Sequence, residues 1–164
     1  LATAKAAPTG IVAGPDGNIW FTERFANKIG RVTLAGVVQE FPELSTTGSA
    51  PAGITAGPDG NLWFTEQLGG NIGRMTPAGA VTEFPIPTAN SGPFLAIITG
   101  PDGNIWFTEN NATASKIAQV TLAGTIREFS PPTPESGPSG IAVGSDGNIW
   151  FTEGNANQIG RLTP

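Results

Sequence analysis

The string GPDGNIWFTE occupies Gly14 to Glu23. It returns as GPDGNLWFTE at Gly57 to Glu66, as GPDGNIWFTE at Gly100 to Glu109 and as GSDGNIWFTE at Gly144 to Glu153. The motif aspartates Asp16, Asp59, Asp102 and Asp146 stand 43, 43 and 44 residues apart. A period of this size marks a chain built from one supersecondary unit used several times, each unit burying its apolar face against a neighbour. Any fold for this chain must therefore offer four equivalent places.

One repeat can be read as physics. The apolar run GIVAG (Gly10 to Gly14) lies between turn formers. In PDGN, proline presets φ for the first corner and glycine accepts a positive φ, so the segment is a turn. NIWFTE is aromatic and apolar at consecutive positions, which suits a strand buried on both faces. ERFANK turns again, KIGRVT is a third strand, LAG a third turn and VVQEF a fourth strand. Four short antiparallel strands per repeat and no sustained helical period predict an all-β fold, a β-propeller with four four-stranded blades. The blades are expected at residues 8–50, 51–92, 93–137 and 138–164, the last together with 1–7, in one propeller domain or propeller fragment. Trp20, Trp63, Trp106 and Trp150 hold the same motif position and account for every tryptophan, so they are expected in the core between blades.

Closure of the ring is open at this level. The last repeat stops at IGRLTP without its fourth strand, and LATAKAAP at the N-terminus is the candidate to supply it. Two architectures remain: a closed four-bladed disc completed by that strand, which is preferred, and an open arc that pairs with a second copy or belongs to a larger propeller. An unclosed ring would expose a strand edge.

Composition removes several function classes. There are no cysteines, so disulfides and thiolate chemistry are excluded, and no histidine. The net charge of −5 argues against a nucleic-acid or anionic-membrane partner, and no apolar run is long enough for a transmembrane helix. The first residue is Leu1 and not Met, which fits a processed or trimmed start; secreted and cytoplasmic locations both stay open. Asn111-Ala112-Thr113 is a glycosylation sequon read as a chance match. Gly69 to Gly73 is not a phosphate loop, since no P-loop lysine accompanies it, and Ser139 has no histidine to activate it. Phe94 and Leu95 interrupt the P-x-G-I pattern by insertion, either to fill a packing gap or to line a pocket mouth.

The stretch PSGIAVGSDGNIWFTEGNANQIGRLTP (Pro138 to Pro164), like the three repeats before it, resembles the blade of the streptogramin B lyases, also called virginiamycin B lyases. The resemblance covers nearly the whole chain. It implies a bacterial, seven-bladed type of propeller that opens the macrocyclic lactone of type B streptogramin antibiotics by elimination, with Mg²⁺, over the central channel, and so confers antibiotic resistance. It also implies a general acid/base histidine at x of P-x-G-I and a glutamate at the end of IWFTE. The glutamates are present as Glu23, Glu66, Glu109 and Glu153. The histidine positions hold Thr9, Ala52, Leu95 and Ser139. An elimination needs a base that works near neutral pH, and histidine is the side chain suited to that. The expectation is therefore a virginiamycin B lyase-like repeat protein acting as a non-catalytic binding or structural, self-assembling module. The alternative is an Mg²⁺-dependent lyase, or a fragment of one, using the four glutamates.

Two readings of those glutamates compete. In one they form a carboxylate ring that holds a cation such as Mg²⁺ or Ca²⁺, or a small-molecule ligand in the central channel. In the other each pairs with the IGR arginine of the next strand, Arg31, Arg74 or Arg161. The third repeat carries Gln119 at that place, which would leave Glu109 without its partner and make it the leading candidate for a functional carboxylate.

Overall fold

The computed structural model describes residues 1–111 and 114–164; Ala112 and Thr113 of the sequon lie outside the described residues. Each repeat folds as an antiparallel meander. The first contains β1 (Pro8–Ala13), β2 (Ile19–Glu23), β3 (Lys28–Val32) and β4 (Val38–Glu40), and the second β5 (Pro51–Ala56), β6 (Leu62–Glu66), β7 (Asn71–Met75) and β8 (Val81–Pro85). The third contains β9 (Pro93–Thr99), β10 (Ile105–Asn111), β11 (Ala114–Val120) and β12 (Ile126–Phe129), and the fourth β13 (Pro138–Val143), β14 (Ile149–Glu153) and β15 (Gln158–Leu162). Three sheets have four strands and the fourth has three, all ordered as in the sequence. This is the all-β propeller architecture that the repeat predicts.

The Asp-Gly turns form as expected, with Gly17, Gly60, Gly103 and Gly147 at φ near +75°. Each motif aspartate does more than turn the chain. Asp16 accepts the Trp20 indole N–H at 2.8 Å and the Asn18 amide at 2.8 Å, and the same bonds recur at Asp59, Asp102 and Asp146. The turn thus fixes the ring of the tryptophan four residues on.

The core lies between blades. Trp20 and Ile29 of the first blade pack with Ile54, Leu62, Phe64 and Met75 of the second. Trp63 and Ile72 pack in the same way with Ile97, Ile105 and Phe107 of the third, and Trp106 and Ile117 with Ile149 and Phe151 of the fourth. Trp20, Trp63 and Trp106 are fully buried; Trp20 stacks on Phe41, directly after β4, and Trp63 and Trp106 on Phe84 and Phe129 in the fourth strands of their own blades. Trp150 is 37% exposed.

Inner strands β1, β5, β9 and β13 follow one another in contact, and among the described residues β13 makes no comparable contact with β1. The blades form an arc, which corrects the expected closed four-bladed disc. Residues 1–7 do not complete the fourth sheet either. Thr3 and Ala2 donate to Glu40 of the first blade, through the Thr3 hydroxyl at 2.6 Å and both backbone amides. The physical reason lies in an alignment: L-x-T ahead of a proline recurs as Leu1/Thr3/Pro8 and Leu44/Thr46/Pro51, with Ile86/Thr88/Pro93 close behind. Thr46 binds Glu83 and Thr88 binds Glu128 as Thr3 binds Glu40. LATAKAAP is therefore the connector that enters the first blade.

Backbone geometry repeats with it. Lys5, Gly48, Asn90 and Glu135 share a positive φ, as do Ala7, Ala50, Gly92 and Gly137. A non-glycine residue in the left-handed region costs roughly 1 kcal/mol. Glu135→Gly, at an exposed site with φ of 52°, is expected to stabilise the fold by about 0.5 kcal/mol after the entropy lost by glycine is subtracted. Urea denaturation would read this as a higher midpoint at constant slope.

Candidate functional site

The four motif glutamates end β2, β6 and β14 and lie two residues before the end of β10, beside the start of each inner strand. Register pairs Glu23 with Pro8, Glu66 with Pro51, Glu109 with Pro93 and Glu153 with Pro138. A bulge follows in each inner strand, and it carries the x residue of P-x-G-I. Those residues are Thr9, Leu95 and Ser139, which are exposed, and Ala52, which is buried. Ser139 Oγ lies 3.0 Å from Thr152 Oγ1.

The expected pairing of these glutamates with the IGR arginines does not occur. The antiparallel register places Arg31 opposite Trp20 and Lys28 opposite Glu23, so arginine and glutamate are at opposite ends of the hairpin. Arg31 instead binds Asp16 at 3.1 Å and lies over the Trp20 ring, and Arg161 stands 3.9 Å from Asp146. Gln119 donates to Asp102, so it replaces the arginine at the aspartate, and its presence takes nothing from Glu109.

All four glutamates are buried, at 0% exposure for Glu23, Glu66 and Glu109 and 3% for Glu153. Among the described residues, neither carboxylate oxygen of Glu23 or Glu109 has a hydrogen-bond donor, and one oxygen each of Glu66 and Glu153 lacks one. Glu66 accepts from the Asn71 side-chain amide at 3.0 Å. Burial disfavours the charged form. It raises the Glu109 carboxyl to about 8, helped by the negative charge of Glu128 and opposed by Lys116. It raises Glu66 to about 7, and it raises Glu23 as well. The second acid of each of the first three blades behaves oppositely: Glu40 is lowered by hydrogen bonds from Thr3, Glu83, against the effect of burial, by those from Thr46 and Ser45, and Glu128, against the effect of burial, by those from Lys116, at 2.7 Å, and Thr88. The first three blades therefore each set an acid whose pKa is lowered beside a buried acid whose pKa is raised.

These acids are not brought together. Among the described residues no three acidic side chains gather into a group able to hold a metal. Mg²⁺ also keeps most of its water shell and wants ionised oxygen ligands. A carboxyl with no exposed surface and a raised pKa offers neither, so Glu23, Glu66 and Glu109 do not fit the ion. Glu153 borders an open cavity of about 300 Å³, shared with Asn157 and Gln158. One carboxylate among neutral amides is too little for the ion.

A cluster that the sequence reading missed lies on the same end of the blades. Arg24 lies between Phe25 and Phe94, its guanidinium carbon 5.6 and 5.4 Å from the ring centres, and it donates to Gln67 of the second blade. Phe25 is 73% exposed and Phe94 is 37% exposed. Arg24 and Gln67 each directly follow a motif glutamate, which is the signal that could have found them. The inserted Phe94 thus lines a surface cluster, and its carbonyl also accepts the Thr65 hydroxyl in packing against the second blade. A polar cavity of about 290 Å³ adjoins, bordered by Gln67, Leu68, Gly69 and Asn90.

Comparison with known proteins follows from this geometry. The model of the virginiamycin B lyase family matches residues 1–164. Virginiamycin B lyase from Staphylococcus aureus superposes with a TM-score of 0.93 at 48% identity, over 100% of this chain and 55% of that one. A histidine-to-alanine variant of the same enzyme, described as catalytically inactive and solved with quinupristin, matches at 0.93 and 48%, over 99% and 54%. A streptogramin B lyase matches at 0.92 and 43%, over 99% and 53%. The chain spans slightly more than half the length of these relatives.

Proposed function

The chain belongs to the virginiamycin B lyase family, and from that premise we propose that its four blades are a ligand-binding scaffold of the lyase type that does not itself open the lactone. The observation that carries this reading is the pairing of two facts. The positions matching the family histidine hold Thr9, Ala52, Leu95 and Ser139, and the four strand-end glutamates are buried. A general base must reach the proton it takes, directly or through one water. A relative rendered inactive by loss of a histidine supports the need for that side chain. The proposed ligand is a macrocyclic lactone of the type B streptogramin class. The proposed contact is the Arg24–Phe25–Phe94 cluster, which offers a cation and two aromatic faces beside the exposed bulge residues.

The test is a paired assay on the 164-residue chain with a type B streptogramin. Calorimetry is expected to show binding that Arg24→Ala weakens by about tenfold, in keeping with a partly desolvated cation–π contact. Chromatography is expected to show no ring-opened product with or without Mg²⁺. One observation favours a second reading, an enzyme: a carboxyl raised to about 8, as at Glu109, is matched to acid–base work near neutral pH. Turnover abolished by Glu109→Gln would establish that reading in place of the first.

A further inference from the structure

The junction between the second and third blades lacks a side chain that the junctions beside it possess. In the first blade that side chain is Asn27, the last residue of the β2–β3 turn, buried at 7% exposure with φ of 55°. Its carboxamide donates to the Leu44 carbonyl at 3.4 Å and to the Thr46 carbonyl at 3.0 Å. Its Oδ1 accepts the Ser49 hydroxyl at 2.8 Å. One carboxamide thus ties the turn to the connector that leads into the next blade. In the third blade the same place holds Ser115, whose Oγ lies 3.4 Å from Ser136 Oγ and accepts the Gly137 amide at 2.8 Å.

In the second blade that place holds Gly70. Register fixes the equivalence, because Asn27, Gly70 and Ser115 each precede the residue paired with a motif glutamate, namely Lys28, Asn71 and Lys116. The first two turns, residues 24–27 and 67–70, have the same length, and Gly70 keeps a left-handed φ of 64°. The bond from connector to turn is kept as well: Leu44 N–H donates to the Asn27 carbonyl and Ile86 N–H to that of Gly70, both at 2.9 Å. Only the side chain is missing. A Cβ on Gly70 would meet nothing within 4 Å. Ser91, the counterpart of Ser49, is at 0% exposure, and its hydroxyl has no hydrogen-bond partner among the described residues. The polar cavity of about 290 Å³ opens here, bordered by Gly70 and by Asn90 and Gly92 on either side of Ser91. A buried hydroxyl left unbonded is costly, so a group that bonds it and fills the space is favoured.

We infer that this cavity is a binding site for the primary carboxamide of a small molecule. The ligand's NH₂ group takes the place of the Asn27 amide and donates to the Ile86 and Thr88 carbonyls, the counterparts of those of Leu44 and Thr46. Its oxygen accepts the Ser91 hydroxyl. A primary amide brings two N–H donors and one carbonyl acceptor, which is the set that Asn27 uses in the first blade. A carboxylate or a tertiary amide brings no N–H for the two carbonyls. Gln67 and Asn110 also border the cavity, so the carboxamide can be carried on a further polar body. The inference does not depend on which ligand the Arg24–Phe94 cluster takes.

Amide-resolved NMR of the 164-residue chain, titrated with acetamide, tests it. Saturable shifts are expected at Gly69, Gly70, Ser91 and Gly92 and not at Asn27 or Ser49, with half-saturation on the order of millimolar for so small a ligand. Acetate and N,N-dimethylacetamide are expected to leave these resonances in place. Gly70→Asn is expected to fold, because asparagine already stands at this place in the first blade with a left-handed φ, and to abolish the titration by filling the site from within. Ser91→Ala is expected to weaken acetamide by about fivefold to tenfold. In the free protein it is expected not to lower the thermal midpoint, since no bond is lost, whereas Ser49→Ala, which breaks a bond to Asn27, is expected to lower it. Absence of these shifts at high acetamide would overturn the inference and leave the cavity to water. Equal shifts with dimethylacetamide, or a titration that survives Gly70→Asn in the folded protein, would overturn it too. Should Gly70→Asn not fold, an affinity unchanged by Ser91→Ala would overturn it.

Discussion

Trp63→Ala is expected to cost about 3–5 kcal/mol of folding stability, whereas Trp150→Ala, in the same motif position, is expected to cost about 1 kcal/mol. Both indoles donate to their motif aspartate at 3.1 Å, so the local turn chemistry is equal at the two sites. What differs is the packing. Trp63 is fully buried, stacks on Phe84 with ring centres 5.6 Å apart and joins Ile97, Ile105 and Phe107 of the next blade. Its removal leaves a cavity between two sheets that cannot collapse without moving a blade. Trp150 is 37% exposed, so its loss forfeits less. Urea denaturation of the two variants beside the parent chain gives the comparison. Equal costs at the two sites would mean that the tryptophans act through their turns and not through the blade interface.

Stability is expected to fall as pH rises from about 5.5 to 9, by on the order of 3 kcal/mol for Glu109 alone. The Glu109 carboxyl is raised from an ordinary 4.5 to about 8, and that of Glu66 to about 7. A raised acid binds its proton more tightly in the folded than in the unfolded chain. Its contribution is therefore complete below the ordinary value and is lost as pH climbs through the folded one. Asp16, lowered to about 2, works in the opposite direction and withdraws its contribution only as pH falls below about 4. The stability maximum consequently lies on the mildly acid side. Glu109→Gln keeps the shape and a neutral donor able to face Glu128. It is expected to match the parent near pH 5.5 and to exceed its thermal midpoint by roughly 6–12 °C at pH 9. A parent whose midpoint is flat across this range would mean that water or a cation reaches Glu109.

Much of the fold was legible because the sequence states it four times. Repetition at a constant period located the strands, the Asp-Gly turns and the tryptophan core, and averaging over four copies removed the ambiguity of any one short apolar run. The connector was legible in principle but obscured by its position. LATAKAAP stands at the start of the chain, where it can be taken for a spare strand, and only its alignment with LSTTGSAP and IPTANSGP shows it as the lead-in to a blade. The arginine partners were misjudged for a geometric reason. Glutamate and arginine lie on adjacent strands, yet a hairpin closing over residues 24–27 sets Glu23 opposite Lys28 and carries Arg31 to the far end. The burial of the glutamates could not be read from one repeat. It arises where a connector from outside the blade, tied by Thr3, Thr46 or Thr88 to a fourth-strand acid, lies beside the strand end. The Arg24–Phe94 cluster depends on a residue insertion in a different blade, a contact that no repeat-averaged pattern contains.

The account turns on whether the strand-end glutamates are buried structural acids or an accessible ring of ligands. Carboxyl-carbon NMR of glutamate-labelled protein, titrated with and without Mg²⁺ and assigned through Glu109→Gln and Glu66→Gln, addresses that directly. The account predicts that Glu109 titrates near 8 and Glu66 near 7, and that neither moves when Mg²⁺ is added. Titration near 4.5, or a fall on addition of the ion, would contradict it and return the four carboxylates to the candidate chemistry of the lyases.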